Sequence, residues 1–386
     1  MYSLRWKFGD AEVLARCYAV PGGTDQVHLT VRICEDAAGL SFESQCDSLL
    51  TAYDRTVKLL ADDGVKTTAM LERYFLSDSA NQEPVLKRKL TDRYCAVSVI
   101  QQSPLDGSKI SMLAILEQCV CPMTSDSSVP VFVRNGYSHI YTGGQNVVTY
   151  ATSRRQTGEL LVGYGEMLGE KGLSLADNCV RTWFFVRDID SNYSGVVTAR
   201  NEVFESQGLN CDTHFIASTG IGGRIADRRA LVSMDAYAVG GLEPGQMRYL
   251  YAPTHMNRTS EYGVSFERGT VVDYGDRRQV YISGTASIDN RGQVVHPGDI
   301  LNQTGRMLEN IGALLQEAGG GFGDLLHAVV YLRDLSDYSA VVRLLDGRIP
   351  DIPRVVVLAP VCRPGWLIEM ECMAVVAHTD GRFRPY

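Results

Sequence analysis

Two carboxylates alternate with apolar residues near the carboxyl end of the chain. Glu369 and Glu371 flank Met370 in the run Leu367-IEMECMAVV, which is typical of a buried strand. Because successive side chains of a strand point to opposite faces, both carboxylates lie on the same face. Buried acids require nearby cations or a bound proton. We therefore expect a polar site around this strand.

Two arginines accompany this pair of acids. Arg354 opens the preceding predicted strand, and Arg363 lies in the loop between the two strands. A guanidinium group binds a carboxylate through two parallel hydrogen bonds. We expect Arg354, Arg363 and Glu369 to share one pocket that binds a small anion beside a buried proton donor. In the structural alternative, Glu371 is an ion-paired strand residue and Arg354 is its partner.

An internal repeat organises the elements that must position these residues. In three segments a long amphipathic stretch is followed by an apolar strand that ends in Asp: 49–78, 160–188 and 307–334. The second and third segments continue with Tyr-Ser-x-Val-Val, from Tyr193 and Tyr338. Each repeat closes with two strands. This order predicts an α+β fold of three tandem domains at 1–122, 129–242 and 255–380, of which the first is degenerate in sequence.

Only the third repeat retains a full polar set. In the second repeat, Ser233 and Asp235 stand where Glu369 and Glu371 stand, and His214 replaces Arg354. In the first repeat the two acid positions fall on Met112 and Ala114. We therefore expect one site, in the third repeat. The arginines of the second repeat that are candidates for its opposite wall are Arg181, Arg187 and Arg200, and the sequence selects none of them.

Composition narrows the classes of function. The 386 residues carry a net charge of −8, which disfavours general nucleic-acid binding. No apolar run approaches the roughly 18 residues that span a bilayer, and the N-terminus lacks the apolar core of a secretory signal. We expect a cytoplasmic protein without a membrane anchor. The histidines form no H-x-x-x-H or H-E-x-x-H pattern, so we expect no metal.

The third repeat resembles the RidA/YjgF superfamily. The likeness rests on Ile282-SGTASID, Gln303-TGRMLENIGALLQEAG, Ala328-VVYLRDLSDY and Pro353-RVVVLAPVCRPGWLIEMECMAV. Members of this superfamily are small chorismate-mutase-like domains, with a mixed sheet and two helices. They usually form homotrimers with active clefts between subunits. The resemblance implies that three repeats in one chain form an intramolecular pseudo-trimer, and leaves open whether it is monomeric or a higher homo-oligomer.

A closer resemblance is to the chorismatases, which hydrolyse chorismate. It rests on Tyr262-Gly263, Ser265-Phe-Glu-Arg268-Gly, Ser283-Gly284-Thr-Ala-Ser-Ile and Cys362-Arg363. The resemblance implies that Glu369 is the general acid, that arginines bind the two carboxylates of a chorismate-like substrate, and that no cofactor takes part. It also places Cys362 at the ring pocket. By the same resemblance, the cleft is completed by Tyr262, Arg268, Ser283 and Gly284.

Two other functions stay open. A RidA-type imine or enamine deaminase needs Arg354 and the strand acid, although Val342 stands where those deaminases carry an asparagine. A non-catalytic protein that binds a small anion is the third hypothesis. The candidate residues also have structural alternatives: Cys362 as an inert small residue, Arg268 on the surface, Tyr262 in packing and Gly284 for backbone shape.

Overall fold

The computed structural model describes residues 1–91, 93–118, 121–123 and 129–386. The chain forms three mixed sheets, and helices pack against one face of each. The predicted linker that follows residue 122 lies partly outside the described residues, so both domain boundaries there stay predictions.

The first repeat contains a sheet with the strand order β1-β2-β3-β7-β4-β5, and β6 lies outside it. Its helix α2 follows β4 although this segment lacks the Tyr-Ser-x-Val-Val motif. Its elements are β1 Tyr2–Phe8, β2 Ala11–Val20, β3 Gly23–Ile33, α1 Phe42–Asp62, β4 Thr67–Leu76, α2 Ser79–Lys89, β5 Ala96–Gln101, β6 Ser103–Pro104 and β7 Ile110–Gln118.

The second repeat contains a sheet with the strand order β12-β11-β13-β10-β9-β8. Its elements are β8 Cys121–Met123, β9 Val131–Arg134, β10 Tyr137–Asn146, α3 Ser153–Gly169, α4 Leu175–Asn178, β11 Cys179–Val186, α5 Ile189–Ser206, β12 Ala217–Gly222 and β13 Val232–Gly240.

The third repeat contains a sheet with the order β14-β15-β16-β19-β17-β18-β6, so β6 of the first repeat completes it. Its elements are β14 Met247–Leu250, β15 Gly269–Asp273, β16 Arg277–Ala286, α6 Ile300–Glu317, β17 Leu325–Leu332, α7 Tyr338–Arg348, β18 Arg354–Leu358 and β19 Ile368–Ala377. Short 3₁₀ turns lie at Glu35–Ala37, Thr259–Tyr262, Phe322–Asp324 and Leu335–Asp337.

The central strands are buried along their whole length. Every residue of β11 and β17 is buried, and so is β19 up to its last residue. Helices cover one face of each sheet, and the neighbouring repeats cover the other. A strand that is covered on both faces has a nearly continuous apolar sequence. The charged residues within these runs therefore need partners from other repeats.

The three sheets form a ring, because each repeat contacts both of the others. Strand β5 packs near β10, β12 near β16, and β18 near β7. Bulges interrupt β10 between Thr142 and Gln145, and β16 between Ile282 and Thr285, at corresponding positions of the two repeats. The predicted α+β fold of three tandem repeats in a pseudo-trimer is confirmed. In the described part of the chain, no helix has the length and apolarity needed to cross a bilayer.

Candidate functional site

A cleft lies between the second and third repeats, and its empty space, open solvent included, is about 520 Å³. Helix α5 and strand β12 form one wall. The other comes from the segment before β15, the end of β16 from its bulge onward, the loop before β19, and β19 itself. The lining residues are Tyr193, Arg200, Ser218, Gly220, Val264, Phe266, Arg268, Gly284, Ala286, Ile288, Cys362, Arg363, Trp366 and Glu369.

Glu369 is the acid of this cleft. It lies on β19, is 5% exposed, and is paired in register with Tyr331 and Ala286 on the flanking strands. Burial, and next the negative charge of Glu371, raise the pKa of Glu369 to about 8, against the opposing effect of Arg181 and Arg268. At neutral pH the carboxyl therefore carries a proton, as a general acid requires.

The bulge of β16 shapes the floor beside this acid. A side chain at Gly284 would collide with the Glu369 carboxyl and would also approach Thr219. The backbone N–H of Gly284 donates to Thr219 Oγ1 at 2.9 Å. Gly284 therefore serves close approach of the backbone to the acid, as its structural alternative proposed, and it also lines the cleft.

Three guanidinium groups line the cleft. Arg200 of α5 is buried, and its Nε is 3.3 Å from Ser265 Oγ. Among the residues that the structure describes, none hydrogen-bonds Arg200 Nη2. Arg268 is buried and not on the surface, and its Nη2 donates to the Asn257 carbonyl at 3.1 Å. Together with Arg363, they make the cleft strongly cationic.

The loop before β19 brings Arg363 and Cys362 to the same cleft. The Arg363 guanidinium lies 4.9 Å from the centre of the Trp366 ring, a cation–π geometry. Trp366 is itself fixed by its Nε1, which donates to the Ser287 carbonyl at 3.0 Å. Burial raises the pKa of the Cys362 thiol to about 12. Cys362 is therefore a neutral wall residue and not a nucleophile.

Ser283 and Glu371 lie behind the cleft. Ser283 is buried, accepts from the Ser218 backbone N–H at 2.9 Å, and donates to the Glu267 carbonyl at 2.5 Å. Glu371 receives hydrogen bonds from Arg181 and Trp183 of the second repeat, at 2.9 and 2.8 Å. Neither residue lines the cleft, so direct contact with a substrate is not supported for either.

Arg354 lies outside the cleft, contrary to our expectation. It is ion-paired with Asp346 and also donates to the Ile349 carbonyl at 3.1 Å, so Asp346 and not Glu371 is its partner. Register explains the difference: Arg354 on β18 pairs with Ala328 on β17, and the equivalent pair of the second repeat is Ser218 on β12 with Thr182 on β11. Ser218 lines the cleft between the second and third repeats, whereas Arg354 is paired within its own repeat.

The same register corrects two further assignments. Ser218, and not His214, occupies the place of Arg354 in the second repeat. In the first repeat, Ser111 and Leu113 pair with Phe75 and Arg73, so they replace Met112 and Ala114 as the equivalents of the two acids. Ser233 and Asp235 hold the expected positions in the second repeat. The side chain of Tyr262 lies outside the described residues.

Sequence reasoning left Arg200 unselected and did not identify Tyr193, Ser218 or Gly220. A signal for Arg200 exists, because it lies seven residues after Tyr193, and seven residues make about two turns of a helix. At the same distance after Tyr338, the third repeat has Leu345, which is buried. A charged residue on this apolar face marks a wall that faces a polar cleft. Within the described residues, no cluster of His, Cys, Asp or Glu is arranged to hold a metal ion.

Comparison with known proteins places this fold and this site in context. The sequence model of the family Endoribonuclease L-PSP matches residues 270–376. The 3-aminoacrylate deaminase RutC of Acinetobacter baylyi is 37% identical over 101 residues, which make up 26% of this chain and 78% of the relative. A RutC family protein of Pyrococcus abyssi is 34% identical over 97 residues, 25% of this chain and 76% of the relative.

A solved structure shares most of the architecture. A chorismatase crystal structure superposes with a TM-score of 0.62 and 18% identity, and the match covers 80% of this chain and 93% of that chain. At this identity the likeness concerns the fold. The match extends well beyond one repeat, so the tandem arrangement itself is shared.

Proposed function

Because the chain belongs to the RidA/YjgF superfamily, we propose that its cleft hydrolyses chorismate or a close analogue, releasing pyruvate from the enolpyruvyl ether by general acid catalysis. The observation that carries this proposal is the cleft itself. A buried, protonated Glu369 shares it with three arginines, of which Arg200 comes from one repeat and Arg268 and Arg363 from the next.

The charges of the cleft match a dicarboxylate. Chorismate carries one carboxylate on its ring and a second on the enolpyruvyl group. Guanidinium groups on opposite walls can each bind a carboxylate and so hold the ether between them. Trp366 and Phe266 supply apolar surface for the ring between these anchors. In this arrangement binding of the anion also orients the reacting bond.

Glu369 supplies the proton. Protonation of the enol ether at its terminal carbon produces a cation that water attacks, and the resulting hemiketal collapses to pyruvate and a ring alcohol. The acid must carry its proton at working pH, and burial of Glu369 provides for that. The organic product is a dihydroxycyclohexadiene carboxylate or, after elimination of water, a hydroxybenzoate. No step of this reaction requires a cofactor.

A second candidate is deamination of an imine or enamine, which the identity to a RutC deaminase favours. This reaction requires Arg354 and the strand acid in one site. Arg354 is paired with Asp346 outside the cleft, and Ser218 stands at the equivalent position inside it. The separation of the two groups weighs against this candidate. Binding of a small anion without turnover is the third candidate.

Pyruvate release from chorismate is the decisive assay. We expect turnover by the wild-type protein and its loss in Glu369→Gln, which keeps the shape of the side chain but cannot donate an acidic proton. Asp346→Asn, outside the cleft, is the matched control and retains activity. If chorismate is untouched while ammonia release from 2-iminopropanoate accelerates, the protein is a deaminase. Turnover of neither substrate favours the binding protein.

A further inference from the structure

Glu371 is held as an anion by donors from two other repeats. Its Oε1 accepts from Trp183 Nε1 at 2.8 Å and from Arg73 Nη1 at 3.4 Å. Its Oε2 accepts from Arg181 Nη2 at 2.9 Å and from Thr219 Oγ1 at 2.5 Å. With every contact a donor, the carboxylate has no acceptor for a proton of its own. The network fixes both its charge and its orientation.

The same network reaches the catalytic cleft. Glu369 and Glu371 are two residues apart on one face of β19, so their side chains start about 7 Å from each other. Thr219, which donates to Glu371, also accepts from the Gly284 N–H at 2.9 Å. Gly284 packs against the Glu369 carboxyl. Glu371 therefore acts on Glu369 through the electrostatic effect of its charge, and a chain of contacts through Thr219 and Gly284 joins the two residues.

Cations outnumber anions around Glu369. An acid among so many guanidinium groups would ordinarily lose its proton, because each cation favours the carboxylate. Burial opposes this loss first, and the negative charge of Glu371 opposes it second. The titratable groups that face Glu369 are Glu371 on β19, Tyr331 on β17, Arg181 on β11, Arg268 before β15, Tyr193 and Arg200 on α5, and Cys362 and Arg363 in the loop before β19.

We propose that Glu371 is a positioning residue of the cleft, whose fixed negative charge keeps the neighbouring carboxyl of Glu369 in its proton-bearing form. Glu371 does not touch the substrate and acts through Glu369. The inference rests on the proposed function in one respect: the proton on Glu369 is the one that is donated to the substrate. The effect of Glu371 on the protonation of Glu369 in the free protein can be measured without any substrate.

The test is a titration of Glu369 in the ligand-free, full-length protein. Carboxyl resonances of 13C-glutamate-labelled protein are followed by NMR, and Glu369 is assigned by its absence in Glu369→Gln. In Glu371→Gln we expect the Glu369 midpoint to fall by at least about one pH unit, because an anion is removed and Arg181 is left uncompensated. An unchanged midpoint overturns the proposal.

Two further variants separate charge from structure. Glu371→Asp keeps the charge, so we expect the Glu369 midpoint to stay near that of the wild type. A fall as large as the one expected in Glu371→Gln overturns the proposal. This comparison decides the question even if Glu371→Gln does not fold. Asp235→Asn removes the register-equivalent acid of the second repeat, which pairs with Arg73 at 2.8 Å. We expect the Glu369 midpoint to be the same in Asp235→Asn as in the wild type. A shift as large as the one in Glu371→Gln would contradict a role specific to Glu371.

Activity then distinguishes this inference from the proposed function. If the wild type releases pyruvate, the alkaline limb of its pH profile moves to lower pH in Glu371→Gln by the same interval as the Glu369 midpoint. A profile that only loses height, with its midpoint unmoved, marks Glu371 as merely structural. If the wild type does not act on chorismate, the proposed function fails and the ligand-free titration still decides the role of Glu371.

Discussion

Glu369 holds a proton in a buried position on the wall of the cleft. Its pKa of about 8 reflects burial first and the charge of Glu371 second. Such an environment is expensive for an anion but well suited to an acid that must donate near neutral pH. The two carboxylates of this strand thus have different roles, since Glu369 faces the cleft and Glu371 faces hydrogen-bond donors of the other repeats.

This environment makes stability depend on pH. The pKa of Glu369 is raised from 4.5 to about 8 in the folded protein, so the stability that its proton contributes is complete below 4.5 and is lost as pH rises through about 8. We expect wild type to lose stability relative to Glu369→Gln between pH 5 and pH 8.5. Urea denaturation midpoints of both proteins measure this.

The comparison with Glu369→Gln supplies its own control. Burial also raises the pKa of Glu117 and of Glu267 to about 7, and both proteins share these groups. Their contributions cancel in the difference between the two stability curves. Parallel curves over this pH range would show that Glu369 is ionised in the folded protein.

At the scale of elements, the cleft depends on how helix α5 and strand β12 meet the third repeat. Arg200 is placed by α5, which crosses the loop that carries Ser265. Strand β12 contacts β16, and a parallel bridge joins Ala217 to Glu267 just before Arg268. The acid and one of its anion-binding partners are therefore contributed by different repeats.

Two arginine variants test this assignment. Arg200→Gln removes a buried cation from the cleft, and a hydrogen bond to a charged group contributes about 1.5–3 kcal/mol. We expect kcat/KM for pyruvate release to fall about 10- to 100-fold. Arg354→Gln is the matched control, and we expect activity within about twofold of the wild type because Arg354 pairs with Asp346 instead. The reverse ranking would place the substrate in another cleft.

At the scale of the whole molecule, the buried acid Glu369 and the three arginines meet in the cleft between the second and third repeats. In the cleft between the first and second repeats, Val97 and Val99 line the wall that Ser218 and Gly220 form in the third-repeat cleft. Between the third and first repeats, β6 pairs with β18. One chain supplies both walls of the cleft that contains Glu369, so we propose that a single pseudo-trimer suffices for activity.

Buried ion pairs join the three repeats. Asp25 of the first repeat accepts from Arg134 of the second at 2.7 Å and from Arg277 of the third at 2.8 and 2.6 Å. Asp25→Ala leaves two buried cations without this partner, so we expect the free energy of unfolding to fall by about 3–5 kcal/mol. Urea denaturation measures the change.

A surface pair provides the control for Asp25→Ala. Glu12 pairs with Arg32 at 2.7 Å on the first sheet, where the Arg32 side chain is 55% exposed. Glu12→Ala should cost no more than about 1 kcal/mol, because solvent screens exposed pairs. Similar losses in the two variants would mean that the junction of the repeats contributes little to stability.

The amino-acid sequence by itself determined the repeat order, the class of fold and the common face of Glu369 and Glu371. Alternation and helical periodicity are local patterns, so these three features can be read from the chain. That Arg268, Gly284 and Cys362 belong to the same site was implied by the resemblance to the chorismatases and not by any local pattern. The tertiary structure alone decided which cleft each side chain enters. Arg354 leaves the site and Arg200 joins it because the cleft forms where two repeats pack, and no local pattern encodes that contact.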